Sequence, residues 1–414
     1  MQNRQTNSTQ TSAMQADIRQ LEQIFSRFYD IGTNSQGGVT RLAYTEEEDQ
    51  MHEAFRALAG EMGFETYTDE VGNSYAANAV EGEYTLFGSH LDSVVNGGRY
   101  DGVCGVIAGL LVMDWARTEG LEVPLRTAAF RCEESSRFGK STVGSALVAG
   151  RIGRRDVEHL EGIDGAVFGE VFEKRGLNLE PERIKRVKQY LELHIEQGKI
   201  LDEGGLRVGI VTDIAGPRRY HIHIHGKAEH SGATPMNMRY DALCAAGQLI
   251  LDIEGIGRAE GAHQSVATVG SIQVEPNVLN VTPGQVVLGV DLRGIQVESI
   301  ARMETDMKAA AKRVSEERGV IIFVEKTTDM LPIGLNGEMG SRLIACAERL
   351  RIPYKVMPSG AGHDAMSFAG LCPTAMVFIP CRQGQSHNKN EFTPLESIYD
   401  GARVLYEYVK GETL

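Results

Sequence analysis

Apolar positions at Ile18, Leu21, Ile24, Phe25 and Phe28 repeat at helical spacing. A second helical stretch opens at Thr45, where Glu48 completes a T-x-x-E capping box, and Met51, Phe55, Leu58 and Met62 line its inner face. Short β-prone runs follow near Phe64–Tyr67, at Ser74–Ala77 and at Tyr84–Gly88. Val103–Ala116 is small and apolar throughout and predicts a buried helix, and Arg126–Cys132 predicts a strand ending in Glu133-Glu134. Strand, loop, helix, strand is the grammar of a βαβ unit, in which reactive residues collect where strands end.

From about residue 214 the pattern changes. Alternating runs at 219–225, 265–274 and 286–293 predict strands with one buried face, with a helix from Tyr240 to about 253 between them. Ser299–Arg318 carries Ile300, Met303, Met307, Ala310 and Val314 on one stripe, and Gly319 follows as a stop. Helix and strand patterning resumes after about 330, at Gly340–Arg351 and Thr374–Ile379. The expected fold is α/β: an α/β/α domain with a central mixed sheet (17–213 and 330–414) and an inserted α+β unit at 214–329. That unit should hold an antiparallel sheet with two helices. Residues 1–16, polar and without an apolar core, read as a disordered tail rather than a signal peptide.

Composition narrows the partners. The 414 residues carry a net charge of −14, which disfavours nucleic acid or an anionic membrane surface as partner. No apolar run reaches the roughly 18 residues of a membrane span. Six cysteines without a C-x-x-C pair suit reduced thiols in a cytoplasmic protein.

Two stretches invite chemistry they do not support. RYHIHIHG (Arg219–Gly226) places His221, His223 and His225 on one strand face, about 7 Å apart at each step. No carboxylate stands near them in the chain, so an exposed sheet face is the expectation. Phe138-Gly-Lys-Ser141 has the tail of a phosphate-binding loop, but Glu134 occupies the position where that loop needs glycine. His52, His159 and His263 lack motif context and are expected at the surface. His363-Asp364 is expected to support structure.

The remaining candidates are His90-Leu-Asp92, Tyr100-Asp101-Gly102, Glu133-Glu134, Leu193-His194-Ile-Glu196-Gln197 and Ser386-His387. Asp92 is placed to hold the His90 imidazole through its other nitrogen. Two adjacent carboxylates repel unless a cation or a shared proton relieves them. Histidines and acids scattered over some 300 residues fit a hydrolytic metal site built on loops, with one acid ligating and another moving a proton.

In this order, these five motifs resemble those of the M20 metallopeptidase-like amidohydrolases. The subgroup is that of N-carbamoyl-L-amino acid hydrolases, allantoate amidohydrolases and β-ureidopropionases. The likeness runs from about Gly37 to Tyr408. It implies that Asp101 bridges two divalent metals (Zn, Mn, Co or Ni). His90 and His194 would complete one site, Glu134 and His387 the other, and Glu133 would be the general base. The insertion would be a lid and homodimerisation domain. In its Glu229-His230-Ser-Gly-Ala-Thr-Pro-Met236, His230 would reach the partner subunit's site and polarise the scissile carbonyl. Asn280 and Arg293 match a substrate-carboxylate clamp, Gly360 a backbone contributor, and Gln197 a residue beside the ureido group.

The implied reaction is hydrolysis of the ureido C–N bond of N-carbamoyl-L-amino acids. Cys132–Gly139 (CEESSRFG), Asp291-Leu-Arg293 and Phe378–Arg382 resemble the carbamoylases. Gly216–Tyr220 resembles a twin-arginine stretch of allantoate amidohydrolases, with Arg219 facing a second ureido group. That alternative stays open, and a dipeptidase is a more distant one.

Overall fold

The computed structural model describes residues 18–412. The tail expected at 1–16 lies outside them. The chain divides into two compact units: Asp213–Gly334 forms one, and the segments before and after it form the other.

The larger unit is built on a mixed sheet. Its central strands are Leu125–Phe130, Tyr84–His90, Val187–Ile195 and Thr374–Ile379, side by side and parallel. Glu65–Thr68 and Ser74–Ala77 extend one edge antiparallel, and Val208–Ile214 runs antiparallel beside Thr374–Ile379. The central strands are buried on both faces, as parallel strands under helices must be. Val187–Ile195 shows the division. Leu191, Leu193 and Ile195 join the main core with Val106, Leu110, Val404 and Leu405. On the opposite face Tyr190 stacks on Phe368, ring centroids 4.3 Å apart.

The smaller unit has four antiparallel strands in the order Ile321–Asp329, Gly216–His225, Gln285–Gly294, Val266–Glu275. Ile222, Ile224, Val286, Leu288 and Leu292 pack under the helices Ala242–Ala259 and Val297–Arg318. The other face is open, with Phe323, His221 and His225 exposed. Ile321–Asp329 was not expected from the sequence. It is an edge strand whose outward positions are half apolar, so its alternation is blurred.

Three local expectations are corrected. Glu48 does not complete a capping box. It is fully buried, accepts the Tyr44 N–H at 2.6 Å and pairs with Arg131 at 2.5 Å. The Thr45 hydroxyl instead donates to the Leu42 carbonyl. His52 is not a surface residue but fully buried, with Nδ1 2.9 Å from the Ser74 hydroxyl, and burial lowers its pKa well below 6.5. The helix expected from Tyr240 begins at Ala242, because the Asp241 side chain caps it by accepting the Cys244 N–H.

Candidate metal centre

The four parallel strands end at one edge of the larger sheet, and their carboxyl ends supply the site. His90 is the last residue of its strand, His194 the penultimate residue of its own, and Glu133-Glu134 stand just beyond Phe130. Asp101 precedes the helix Val103–Thr118, and His387 lies on the loop after Thr374–Ile379. The backbone is bent to present them. Cys132, Gln197 and His387 all adopt positive φ, at 55°, 59° and 56°. Gly102 also has positive φ (68°), and a Cβ there would meet the His90 carbonyl oxygen at 2.5 Å.

Each imidazole is oriented from behind. His90 Nδ1 lies 3.1 Å from the Asp92 carbonyl oxygen, and His194 Nδ1 lies 2.9 Å from that of Ile195. A carbonyl only accepts, so each Nδ1 carries the proton and each Nε2 turns its lone pair inward. The two Nε2 atoms stand 3.5 Å apart. Asp101 Oδ1 is 3.1 Å from His194 Nε2 and 3.8 Å from His90 Nε2. It is buried and, among the described residues, has no hydrogen-bond donor aligned on it. Asp101 Oδ2 lies 3.1 Å from His387 Nε2, which is 3.3 Å from Glu134 Oε1. Two groups of donors therefore share Asp101: His90–Asp101–His194 and Asp101–Glu134–His387.

Glu133 and Glu134 are aimed by Asp92, whose two carboxylate oxygens accept their backbone N–H groups at 3.1 and 3.0 Å. Glu133 Oε2 is 3.8 Å from His90 Nε2. Burial, reinforced by neighbouring acids, pushes the Glu133 carboxyl well above its ordinary range and Glu134 up to about 7. For His90, burial works against the charged form. The hydrogen bond to Asp92 and the charge of Glu133 outweigh it and raise the imidazole. The hydrogen bond to Asp101 lifts His387 to about 9. The pocket sets four acids, Asp92, Asp101, Glu133 and Glu134, among three imidazoles, those of His90, His194 and His387. Converging imidazole lone pairs and an unmatched carboxylate oxygen fit divalent cations with nitrogen and oxygen ligands.

Residues 86–411 match the peptidase family M20/M25/M40. The chain belongs to that family. Over 392 residues this M20 chain is 36% identical to an N-carbamoyl-L-amino acid amidohydrolase of Geobacillus stearothermophilus, covering 92% of this chain and 95% of that protein. It is 34% identical over 398 residues to an allantoate amidohydrolase of Escherichia coli K12, covering 93% and 95%. A crystal structure of a hydantoinase/carbamoylase family amidase from Burkholderia multivorans superposes with a TM-score of 0.88 at 32% identity, covering 96% of this chain and 98% of that one.

The other candidate residues of the M20 chain fall in three places. Gln197 belongs to the centre: its amide nitrogen lies 3.0 Å from Asp101 Oδ2 and 3.1 Å from His387 Nε2. Gly360 is exposed, just after the strand Tyr354–Ser359. His230, Arg219, Asn280 and Arg293 lie in the smaller unit. There His230 pairs with Val281 in a short ladder, the Ser231 N–H donates to the Asn280 carbonyl, and Arg239 bonds the Ser231 carbonyl. Arg219 and Arg293 both reach Asp291, Arg219 at 3.0 Å and Arg293 at 2.9 Å.

Some supporting residues escaped the sequence reading. Glu391 accepts the N–H groups of Tyr100 and Asp101 at 2.9 and 3.0 Å and the Ser386 hydroxyl at 3.0 Å, tying the Asp101 loop to the His387 loop. Glu192, fully buried, accepts from Ser89, Tyr190 and the Ala365 N–H. Its place two residues before His194 on one strand face was the available signal. His363, by contrast, was expected to support structure: it packs edge-on to the His194 ring at 4.4 Å, held by Ser359 at 2.8 Å.

Proposed function

We propose that this M20 hydrolase cleaves the ureido C–N bond of N-carbamoyl-L-amino acids, giving ammonia, carbon dioxide and the free L-amino acid. The observation that carries this reading is the meeting of His90, Asp101, Glu134, His194 and His387 around a shared carboxylate, with Glu133 alongside. The likeness to amidohydrolases acting on linear C–N bonds supports the reaction class. The choice of a carbamoyl amino acid rests on the CEESSRFG, Asp291-Leu-Arg293 and Phe378–Arg382 stretches.

Two divalent cations held by these donors would lower the pKa of water and draw charge from the carbonyl oxygen. Glu133 takes the proton from the attacking water and returns it to the leaving nitrogen. Its raised proton affinity suits both transfers. Asp92 fixes Glu133 and Glu134 through their backbones, so base and ligand keep their spacing. Asn280 and Arg293 hold the substrate carboxylate, Arg293 through a planar guanidinium. Gln197 and Gly360 flank the ureido group. His230 stabilises the tetrahedral oxygen in the partner subunit's site of a cytoplasmic homodimer assembled through the smaller unit.

Allantoate is the second reading. Arg219 and Arg293 share Asp291, which sets two guanidinium groups on one patch and suits a substrate with two polar ends. Ammonia release from N-carbamoyl-L-methionine and from allantoate, measured in parallel with a chelated control, separates the two. Faster turnover of the carbamoyl amino acid supports the first reading, and faster turnover of allantoate replaces it. Replacing Glu133 with Gln is expected to lower kcat by roughly 10²–10⁴-fold with metal content retained. Full turnover in that variant sinks the assignment of the base.

A further inference from the structure

The histidine strand that sequence reasoning assigned to an exposed face has a carboxylate after all. Ile321–Asp329, the strand that reasoning missed, lies antiparallel to Gly216–His225 and sets Glu325 directly opposite His221. His223, two residues on, shares the face, and its Nε2 stands 3.3 Å from Glu325 Oε2. The donor atoms of His221, His223 and Glu325 all lie within 4.8 Å of one another.

We propose that His221, His223 and Glu325 form a second metal site on the open face of the smaller sheet, one that takes zinc or a similar divalent transition ion. It shares no residue with the buried centre and does not depend on what that centre hydrolyses. The strand geometry answers the objection from spacing. The Cα atoms at i and i+2 are about 7 Å apart, but the two rings lean together, centroids 6.2 Å apart with planes at 88°. Small side-chain rotations from there bring nitrogen and oxygen to the roughly 2.0–2.2 Å that zinc requires.

The surroundings favour an ion. Gly289 lies opposite His221 on the other neighbouring strand, and the Ser271 hydroxyl from the next strand covers it. Phe323, opposite His223, has its ring 6.1 Å from the imidazole and limits that ring's swing. The nearest lysine in sequence, Lys326, is engaged elsewhere, with Glu304 and Asp329. Two imidazoles and one carboxylate select zinc, nickel or copper over magnesium or calcium, which prefer all-oxygen shells. Three protein ligands leave a fourth position open, so the ion exchanges with solvent.

The test is zinc stoichiometry by equilibrium dialysis of the full-length protein at micromolar free zinc. Wild type is expected to hold one more zinc ion per chain than the double variant His221→Gln/His223→Gln, and Glu325→Gln is expected to bind that ion more weakly. The converse double variant, Asp101→Asn/His387→Gln, is expected to keep it. Cobalt(II) absorption in the Asp101→Asn/His387→Gln background reports coordination directly and should vanish when His221 and His223 are also replaced. Equal zinc content in wild type and His221→Gln/His223→Gln overturns the proposal. So does uptake seen only at millimolar zinc, or equal uptake of magnesium.

Discussion

The larger unit buries acids beside acids, whereas the smaller keeps its acids near the surface beside bases. In the larger unit, burial drives Glu134 up to about 7 and Asp364 up to about 8, with Asp101 and Glu192 adding to the respective shifts. In the smaller unit, burial also tends to raise Glu304, but Lys308 and Lys326 bring it down to about 2. Asp291 behaves the same way between Arg293 and Arg219. A surface pair is electrically complete. A buried cluster of like charge is not, and its geometry persists only if a cation or protons finish it. Function is legible in that incompleteness.

Three measurements bear on this contrast. The largest effect is expected from withdrawing the cations. Chelation should abolish ammonia release and lower the melting temperature, with zinc or manganese restoring both. Ligand at a hundred times its Kd contributes about 2.7 kcal/mol. An unchanged melting temperature would mean the acidic cluster is stable alone. Next comes Arg131→Met, which strands Glu48 in the interior. Breaking a buried pair from one side costs roughly 3–5 kcal/mol, readable by denaturant unfolding. A loss below 1 kcal/mol would show that Glu48 escapes by protonation, in keeping with its pKa of about 7. The smallest effect is that of Glu304→Gln, at most about 1 kcal/mol: Glu304 itself is largely covered, but its lysine partners Lys308 and Lys326 reach solvent and are screened, and Arg218 keeps Asp329 as a partner. The folded pKa of Glu304 lies below the ordinary 4.5, so its contribution is present above that value and fades as pH falls toward 2. The gap in melting temperature between wild type and variant should close across that window; a constant gap refutes the ion-pair account.

The α/β class and the separate antiparallel sheet were legible because period-2 and period-3.6 patterns survive wherever one face is buried. Ile321–Asp329 was not, because its outward positions include Ile321 and Phe323, both exposed. The residues now grouped as metal donors stood out through short motifs at strand ends. Their supports did not. Asp92 was noticed as a partner for His90, yet its larger task is to hold the backbones of Glu133 and Glu134, a contact across 41 positions that no local pattern encodes. Glu391 reaches Asp101 across 290 positions. His52 and Glu48 misled for the opposite reason: each looks like a helix-surface residue until tertiary packing surrounds it.

The place of Thr374–Ile379 in the larger sheet has a consequence for synthesis. This strand sits between Val187–Ile195 and Val208–Ile214, which are neighbours in the chain but not in the sheet. On the ribosome, the half-sheet made first must hold an unfilled slot while the residues from Ala215 to Pro373 emerge. Asp213–Gly334 is continuous and can close during that wait. His387 follows the late strand by eight residues, so of the two groups around Asp101 the Asp101–Glu134–His387 group forms only after that strand has been made, whereas His90, Asp101 and His194 all precede it.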